Sequence, residues 1–487
     1  MTVGVEGRKR WFALVVLCSG YLMIVLDATI VNVALPSIGA DLEISDASLA
    51  WIVNAYLLTF GGFLLLGGRL GDLFGQRKLF LLGIALFTAA SLACGLANSQ
   101  GLLVGARAVQ GLGGAIVAAV ALSLIMILFT EAGDRAKAMG VFGFVAAGGG
   151  TVGVVAGGLL TDTLNWHWIF LVNLPIGVAV YALCLALLPA SNVHVAVGRV
   201  DVAGAVTVTA SLMLAVYAIV NGNTDGWTSA QTLGLLAGAV ALLALFLGIE
   251  LRVRSPLVPL GLFKLRNLAT ANIVAPLTAA AMFAWFFLAA LYLQHVLGYS
   301  PLKVGLAFLP ATLTLGALSL GLSAKLVMQF GIKKPLVTGL TLFVAGLLLF
   351  ARVPVDGSYV IDVLPSMLLL GLGGGISFNP MLLAAMGDVE PSESGLASGV
   401  VNTSQMMGGA LGLAILASLA ASRTDHLRAS GDAPRAALAG GYHAAFVVGA
   451  AFAAAAAALG AVFFRAHVEV PGYGDEAVAA PAGADSD

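Results

Sequence analysis

The stretch RLGDLFGQRK, residues 69–78, has an echo in KLVMQFGIKK, residues 325–334. Laid together without a gap, the two share Arg/Lys, Leu, Phe, Gly, Arg/Lys and Lys. Each copy joins the second and third of a set of six apolar runs, provided residues 191–260 are treated as an insert. A ten-residue echo of basic turns recurs by chance, so the plan it suggests (six helices, two, then six) leans on the count of apolar runs around it.

That count is generous. The chain has 487 residues, 60% of them hydrophobic and only 10% charged, which is a membrane composition and not a soluble one. Asking for about 20 mostly apolar residues per crossing gives fourteen runs, near 12–36, 49–69, 78–97, 101–125, 138–160, 168–188, 200–220, 231–250, 268–297, 303–328, 334–352, 362–386, 396–421 and 441–465. No alternating ten-residue pattern competes with them, so an all-α helical bundle is expected over a barrel. An even count puts both termini on one face. Most of the 23 Lys and Arg, including Arg8, Lys9, Arg10, Arg77, Lys78, Lys333 and Lys334, fall on that face, against Lys303, Arg352, Arg423, Arg428 and Arg435 opposite, so both termini are expected in the cytoplasm. The expected domains are a first six-helix bundle over 1–190, a two-helix linker over 191–260, a second six-helix bundle over 261–470 and a disordered acidic tail over 471–487.

Several classes are excluded on the same grounds. A formal net charge of -1 leaves no basic surface for nucleic acid. Cys18, Cys94 and Cys184 all lie in apolar runs without metal or disulfide spacing and read as packing residues. The first apolar run continues for about 25 residues without a small-x-small cleavage site, so it reads as a span and not a signal peptide. No GxxxxGK[ST] occurs, so no ATP site is expected; GGGTVG (148–153) fits GxGxxG but lies inside an apolar run with no strand before it. The six histidines are scattered, which disfavours a metal centre or a polytopic enzyme, and no cofactor is expected.

A resemblance now becomes visible. GRLGDLFGQRK (68–78) resembles the cytoplasmic signature loop of the major facilitator superfamily, LVGARAVQGLGGA (103–115) its fourth-helix motif and GGTVGVVAGG (149–158) its antiporter motif. With LDATIVNVALP (26–36), NWHWIFLVNLPIG (165–177) and NTSQMMGGALG (402–412), the chain is similar to the fourteen-helix drug:proton antiporters over nearly its whole length. The antiporter motif departs from the family pattern at Val154, where Pro is usual, and the second loop copy has Met328 where the first has Asp72. The resemblance implies a multi-pass protein of the bacterial inner membrane, monomeric, that exports amphipathic, aromatic or cationic drugs, antibiotics or dyes in exchange for protons. A dedicated exporter of one metabolite or antibiotic and a proton-coupled uptake symporter are the alternatives.

Asp27 stands inside an unbroken apolar run, where an ionised carboxylate costs at least a few kcal/mol. Arg107 stands in the fourth run, and at 1.5 Å per residue both lie roughly 9 to 13 Å below the outer ends of their helices, so they can meet. Desolvation favours a neutral carboxyl and a guanidinium favours a charged one, so such a pair is suited to loading and releasing a proton as each side opens in turn. The plain alternative is a structural ion pair. A proton crossing ~150 mV supplies about 3.5 kcal/mol, enough for a few-hundred-fold gradient of a neutral drug. Gly68, Arg69, Gly71, Asp72, Gly75, Arg77 and Lys78 form a gating loop, the glycines allowing a tight turn and Asp72 reaching a helix N-terminus. Gly149, Gly153, Gly157 and Gly158 leave a groove for close helix approach, expected at a sliding interface between the two bundles or in static packing. Asn32, Tyr56, Gln110, Trp285, Asn379, Asn402 and Gln405, polar or aromatic groups within spans, are the cavity candidates.

Overall fold

A computed structural model describes residues 7–129, 131–188, 201–253, 256–387, 389 and 394–464. Among them there is no strand. The helices are α1 (Gly7–Asp41), α2 (Asp46–Phe74), α3 (Gln76–Gly95), α4 (Gln100–Leu128), α5 (Ala132–Thr163), α6 (Trp168–Leu171), α7 (Asn173–Leu187), α8 (Val202–Asp225), α9 (Ala230–Glu250), α10 (Arg266–Leu291), α11 (Pro301–Ala317), α12 (Ser323–Phe330), α13 (Lys333–Phe350), α14 (Leu364–Met386), α15 (Ser394–Ala429) and α16 (Pro434–Phe463). Among the described residues, thirteen segments are long and apolar enough to cross a membrane, and α11 is a shorter apolar helix. The run expected at 303–328 is therefore broken: a π-helical turn, Leu318–Leu322, separates α11 from α12. Two further π turns, Tyr292–Val296 and Tyr359–Val363, extend α10 and open α14. The acidic tail expected to be disordered, 471–487, lies outside the described residues, as do Arg199, Arg254 and Arg465.

Helix starts follow ordinary capping chemistry. Ser45, Ser229 and Ser300 each accept the backbone N–H three residues on, and Asp201 does so for Gly204, satisfying donors that a helix start leaves open. The two loop copies end their helices alike. Gly75, at φ 95°, closes α2 with its amide on Gly71 O at 3.0 Å, and Gly331, at φ 73°, closes α12 with its amide on Val327 O at 2.9 Å. A side chain at either φ would be strained, which is why glycine survives at this one point of the echo.

The echo continues into the core. Gly83 of α3 and Gly113 of α4 let those helices touch, so that a Cβ on Gly113 would lie 2.7 Å from the Phe87 amide nitrogen. Gly339 of α13 and Gly373 of α14 repeat the contact, with a Cβ on Gly373 only 2.5 Å from the Phe343 amide nitrogen. Gly339 and Phe343 stand from Gly83 and Phe87 at the interval that separates the two loops. Between the two sets, α2 packs on α15 and α5 on α11, while α8 lies against both α2 and α15.

Candidate functional site

The residues that make the site come from five elements and meet in the core of α1–α7. Asp27 of α1 and Arg107 of α4 are both fully buried, and Arg107 Nη1 donates to Asp27 Oδ2. Asp27 Oδ1 accepts from Gln110 Nε2 at 2.7 Å and from Asn173 Nδ2 of α7 at 3.2 Å. Arg107 is held independently of Asp27: its Nε donates to Ile52 O of α2 at 2.9 Å, Nη1 also donates to Gln110 Oε1 at 2.7 Å, and its Cζ lies 4.3 Å over the Tyr56 ring. Gln110 Nε2 further donates to Ser91 Oγ of α3 at 2.8 Å, and Cys94 Sγ stands 3.7 Å from Gln110 Oε1. Charge-assisted bonds of this kind are the strong ones.

The spacing of the polar residues explains this convergence. Arg107 and Gln110 are three apart on α4, hence on one face, and Ser91 and Cys94 are three apart on α3 and face them. Asn173 belongs to the stretch NWHWIFLVNLPIG, which fixes both levels of α1: Asn173 holds Asp27, while Trp166 Nε1 donates to Asp41 Oδ2 at 3.0 Å. The sequence alone singles out neither Ser91 nor Asn173, and it gives Cys94 only as a packing residue. The Asn within an otherwise apolar run was the available signal for Asn173.

The other candidates are spread widely. Of the seven cavity candidates, Gln110 and Tyr56 belong to the Asp27 network; the Tyr56 hydroxyl is buried without a hydrogen-bond partner. Asn32 is buried and back-bonds to Ala28 O at 3.2 Å. Trp285 is buried among Phe286, Phe308 and Phe343, its Nε1 unpartnered. Asn379 braces the π turn through Ser319 O. On α15, Gln405 is buried and Asn402 exposed.

In the loop, Gly75 alone makes the turn, since Gly68 and Gly71 lie inside α2. Arg69 and Lys78 are exposed, and Arg77 Nη2 donates to Leu185 O at 2.7 Å, tying the loop to α7. The side chain of Asp72 lies outside the described residues. Gly149, Gly153 and Gly157 do not face the other helix set: a Cβ on them would meet Leu22 and Val25, Thr29 and Leu26, and Ile30, all on α1. Gly158 does reach across, 2.6 Å by the same measure from Pro301 O of α11. The four-residue spacing placed these glycines on one face, but a spacing does not say which helix that face meets. α5 runs unbroken past Val154, against whose carbonyl Gly305 of α11 packs.

Residues 17–413 match the profile of the Major Facilitator Superfamily. The chain is 40% identical to the puromycin resistance protein pur8 of Streptomyces alboniger, over 93% of this chain and 90% of that one. It is 37% identical to the cephamycin export protein CmcT of Amycolatopsis lactamdurans, over 85% of each. Against the multidrug resistance protein Stp of Mycobacterium tuberculosis (strain CDC 1551 / Oshkosh) it is 35% identical, over 85% of this chain and 76% of that one. Among solved structures, the POT family transporter PepTSo superposes with a TM-score of 0.67 at 15% identity, covering 94% of this chain and 98% of that one, a likeness of fold alone. With its many apolar helices and such relatives, this is a multi-pass bacterial membrane protein, and it belongs to the Major Facilitator Superfamily.

Proposed function

We propose that the chain is a proton-driven exporter of amphipathic, aromatic or cationic drugs, working by alternating access with Asp27 as the proton carrier. The observation that carries this reading is the Asp27 network. Asp27 is a fully buried carboxylate whose partner, Arg107, keeps its bonds to Ile52 and Gln110 if Asp27 lets go. Protonation removes the charge that holds Asp27 on Arg107, so the acid can leave while the guanidinium stays in place. A buried ionisable group with a ready alternative geometry is what coupling requires. The relatives' names, resistance and export proteins for puromycin, cephamycin and several drugs, support export as the direction and drugs as the substrate class.

The layout goes with it: fourteen crossings as six, two and six, with α6 and α7 one crossing, α11 and α12 another, and both termini in the cytoplasm. The lysines and arginines of the α2–α3 and α12–α13 loops support that orientation. The reading has the first bundle at 1–190, the linker pair at 191–260 and the second bundle at 261–470, acting as a monomer on protons and without ATP. A dedicated exporter of one compound is the second reading, favoured by relatives named for a single antibiotic.

The test is efflux from a bacterial strain stripped of its own exporters, using a panel of puromycin, ethidium and other cationic dyes. Wild type should lower accumulation of at least one, a protonophore should abolish that, and Asp27→Asn at matched membrane levels should abolish it too. Protonophore-insensitive efflux, or full efflux by Asp27→Asn, contradicts the reading.

A further inference from the structure

The α8–α9 hairpin carries two acidic residues that the export reading leaves unused. Asp201 caps α8, its Oδ1 accepting from the Gly204 amide at 2.7 Å, and Glu250 ends α9, its Oε2 accepting from the Val258 amide at 3.2 Å. The second oxygens, Asp201 Oδ2 and Glu250 Oε1, are buried and accept nothing, although the residues are only 5% and 4% exposed. These two free oxygens converge. A Cβ on Gly204 would lie 2.5 Å from Asp201 Oδ2 and 3.0 Å from Glu250 Oε1, so both oxygens border the space that the absent side chain at 204 leaves open. Ala205 and Leu257, next in sequence to the Gly204 and Val258 whose amides hold the pair, pack with Leu66 of α2 in a small apolar cluster that Phe63, Leu65, Leu70 and Val258 complete.

Two ionised carboxylates in such a place repel, and each has been taken out of water. Something must neutralise at least one charge. Among the described residues neither acid has an ion-pair partner: Arg69 at the end of α2 and Arg252 just after α9 are exposed, and α15, which also packs on α8, contributes Ser418 to Asn223 farther along. Arg199 and Arg254 lie outside the described residues. A metal ion is a poor fit, because the site offers two acids only and the backbone amides around it, those of Gly204, Leu257 and Val258, are donors that repel a cation. A proton fits, since like carboxylates at close range hold one readily.

We propose that Asp201 and Glu250 share one proton, as acid and carboxylate, and that this proton pins the base of the α8–α9 hairpin to the end of α2. The site is separate from Asp27 and does not depend on its role. When the shared proton leaves for solvent, two negative groups face each other across Gly204, and the Leu66–Ala205–Leu257 contact opens. Docking of the hairpin is therefore present at low pH and lost as pH rises through the titration of the pair.

Hydrogen exchange on the full-length protein in detergent tests this, reading the amides of residues 203–209 in wild type and Glu250→Gln at a series of pH values. Glutamine keeps the shape and supplies the missing donor permanently, and the comparison at each pH cancels the intrinsic rise of exchange with pH. Between the titration of the separated acids and that of the docked pair, the wild type should exchange faster than the variant by a ratio growing about tenfold per pH unit, as release of one proton on opening requires, and the ratio should level off above the titration of the pair. Should Glu250→Gln fail to fold, Asp201→Asn, which retains the cap acceptor, takes its place in the same comparison. Infrared spectra at neutral pH should lose one carboxylic acid C=O band in either variant. Asp27→Asn should follow the wild-type ratio. A ratio that stays flat with pH, or an unchanged acid band, overturns the proposal.

Discussion

The two helix sets use one backbone plan for opposite interiors. Counting back from the glycines that join α3 to α4 and α13 to α14, Gln110 and Arg107 correspond to Leu370 and Met367, and Ser91 corresponds to Leu347. All six are buried. The first set thus keeps a charged, hydrogen-bonded network where the second packs hydrocarbon, with the aromatic group of Trp285, Phe286, Phe308 and Phe343 close by. The difference teaches that the polar network is not needed to build this bundle, because the second set is built without one. What the network adds is a titratable group at depth. The second set has its own specialisation: all three π turns of the described residues fall in it, at Tyr292–Val296, Leu318–Leu322 and Tyr359–Val363, and π turns gather at functional positions.

Replacing Arg107 by Met, as at 367, breaks the comparison most severely. It leaves a buried carboxylate without its cation, and thermal unfolding in detergent should show a loss of about 3 to 5 kcal/mol together with loss of efflux. Adding Asp27→Leu to Arg107→Met should return most of that stability but none of the transport, since a hydrocarbon core is what the second set already uses. A double variant as unstable as the single one would mean that the first set does need its charges.

The glycine contacts sharpen the same comparison. Gly113→Ala and Gly373→Ala drive a Cβ toward the amides of Phe87 and Phe343, and each should cost about 1 to 3 kcal/mol by the same unfolding assay. Similar losses support one plan in both sets; a loss confined to one would separate them. At the loops, Gly75→Ala and Gly331→Ala force a side chain into positive φ at about 1 to 2 kcal/mol each. The smallest effect is expected from Ser91→Ala, which removes one acceptor of Gln110 Nε2 while that group keeps Asp27: about 0.5 to 1.5 kcal/mol, with efflux retained.

Much of this could be read from residues alone, for identifiable reasons. The helices were legible because membrane crossings need long apolar runs, and the loop echo because basic turns with a helix-ending glycine are written locally. Asp27 and Arg107 stand out because a charge in an apolar run has no cheap explanation. Ser91 and Asn173 do not, because a small polar residue in a helix is usually content to bond its own backbone, as Thr88 does to Ile84 O. Ser91 makes that bond too, donating to Phe87 O at 2.8 Å while accepting from Gln110 Nε2, and whether such a group also serves a neighbour depends on helix rotation and on which helix lies opposite, neither of which the chain states. The same limit applies to Gly149, Gly153 and Gly157, whose shared face was readable but whose partner, α1, was not. The π turn inside the run at 303–328 has no residue signature and is set by packing against α14, where Asn379 reaches Ser319 O.

As the proposed proton carrier, Asp27 gives up its proton when substrate binds. The most direct measurement is proton release by purified, full-length protein in weakly buffered detergent on adding a compound that wild type exports. Wild type should release a proton as the compound binds, and Asp27→Asn should bind it without release. Release of the same size from Asp27→Asn, or binding by wild type with none, would contradict the account.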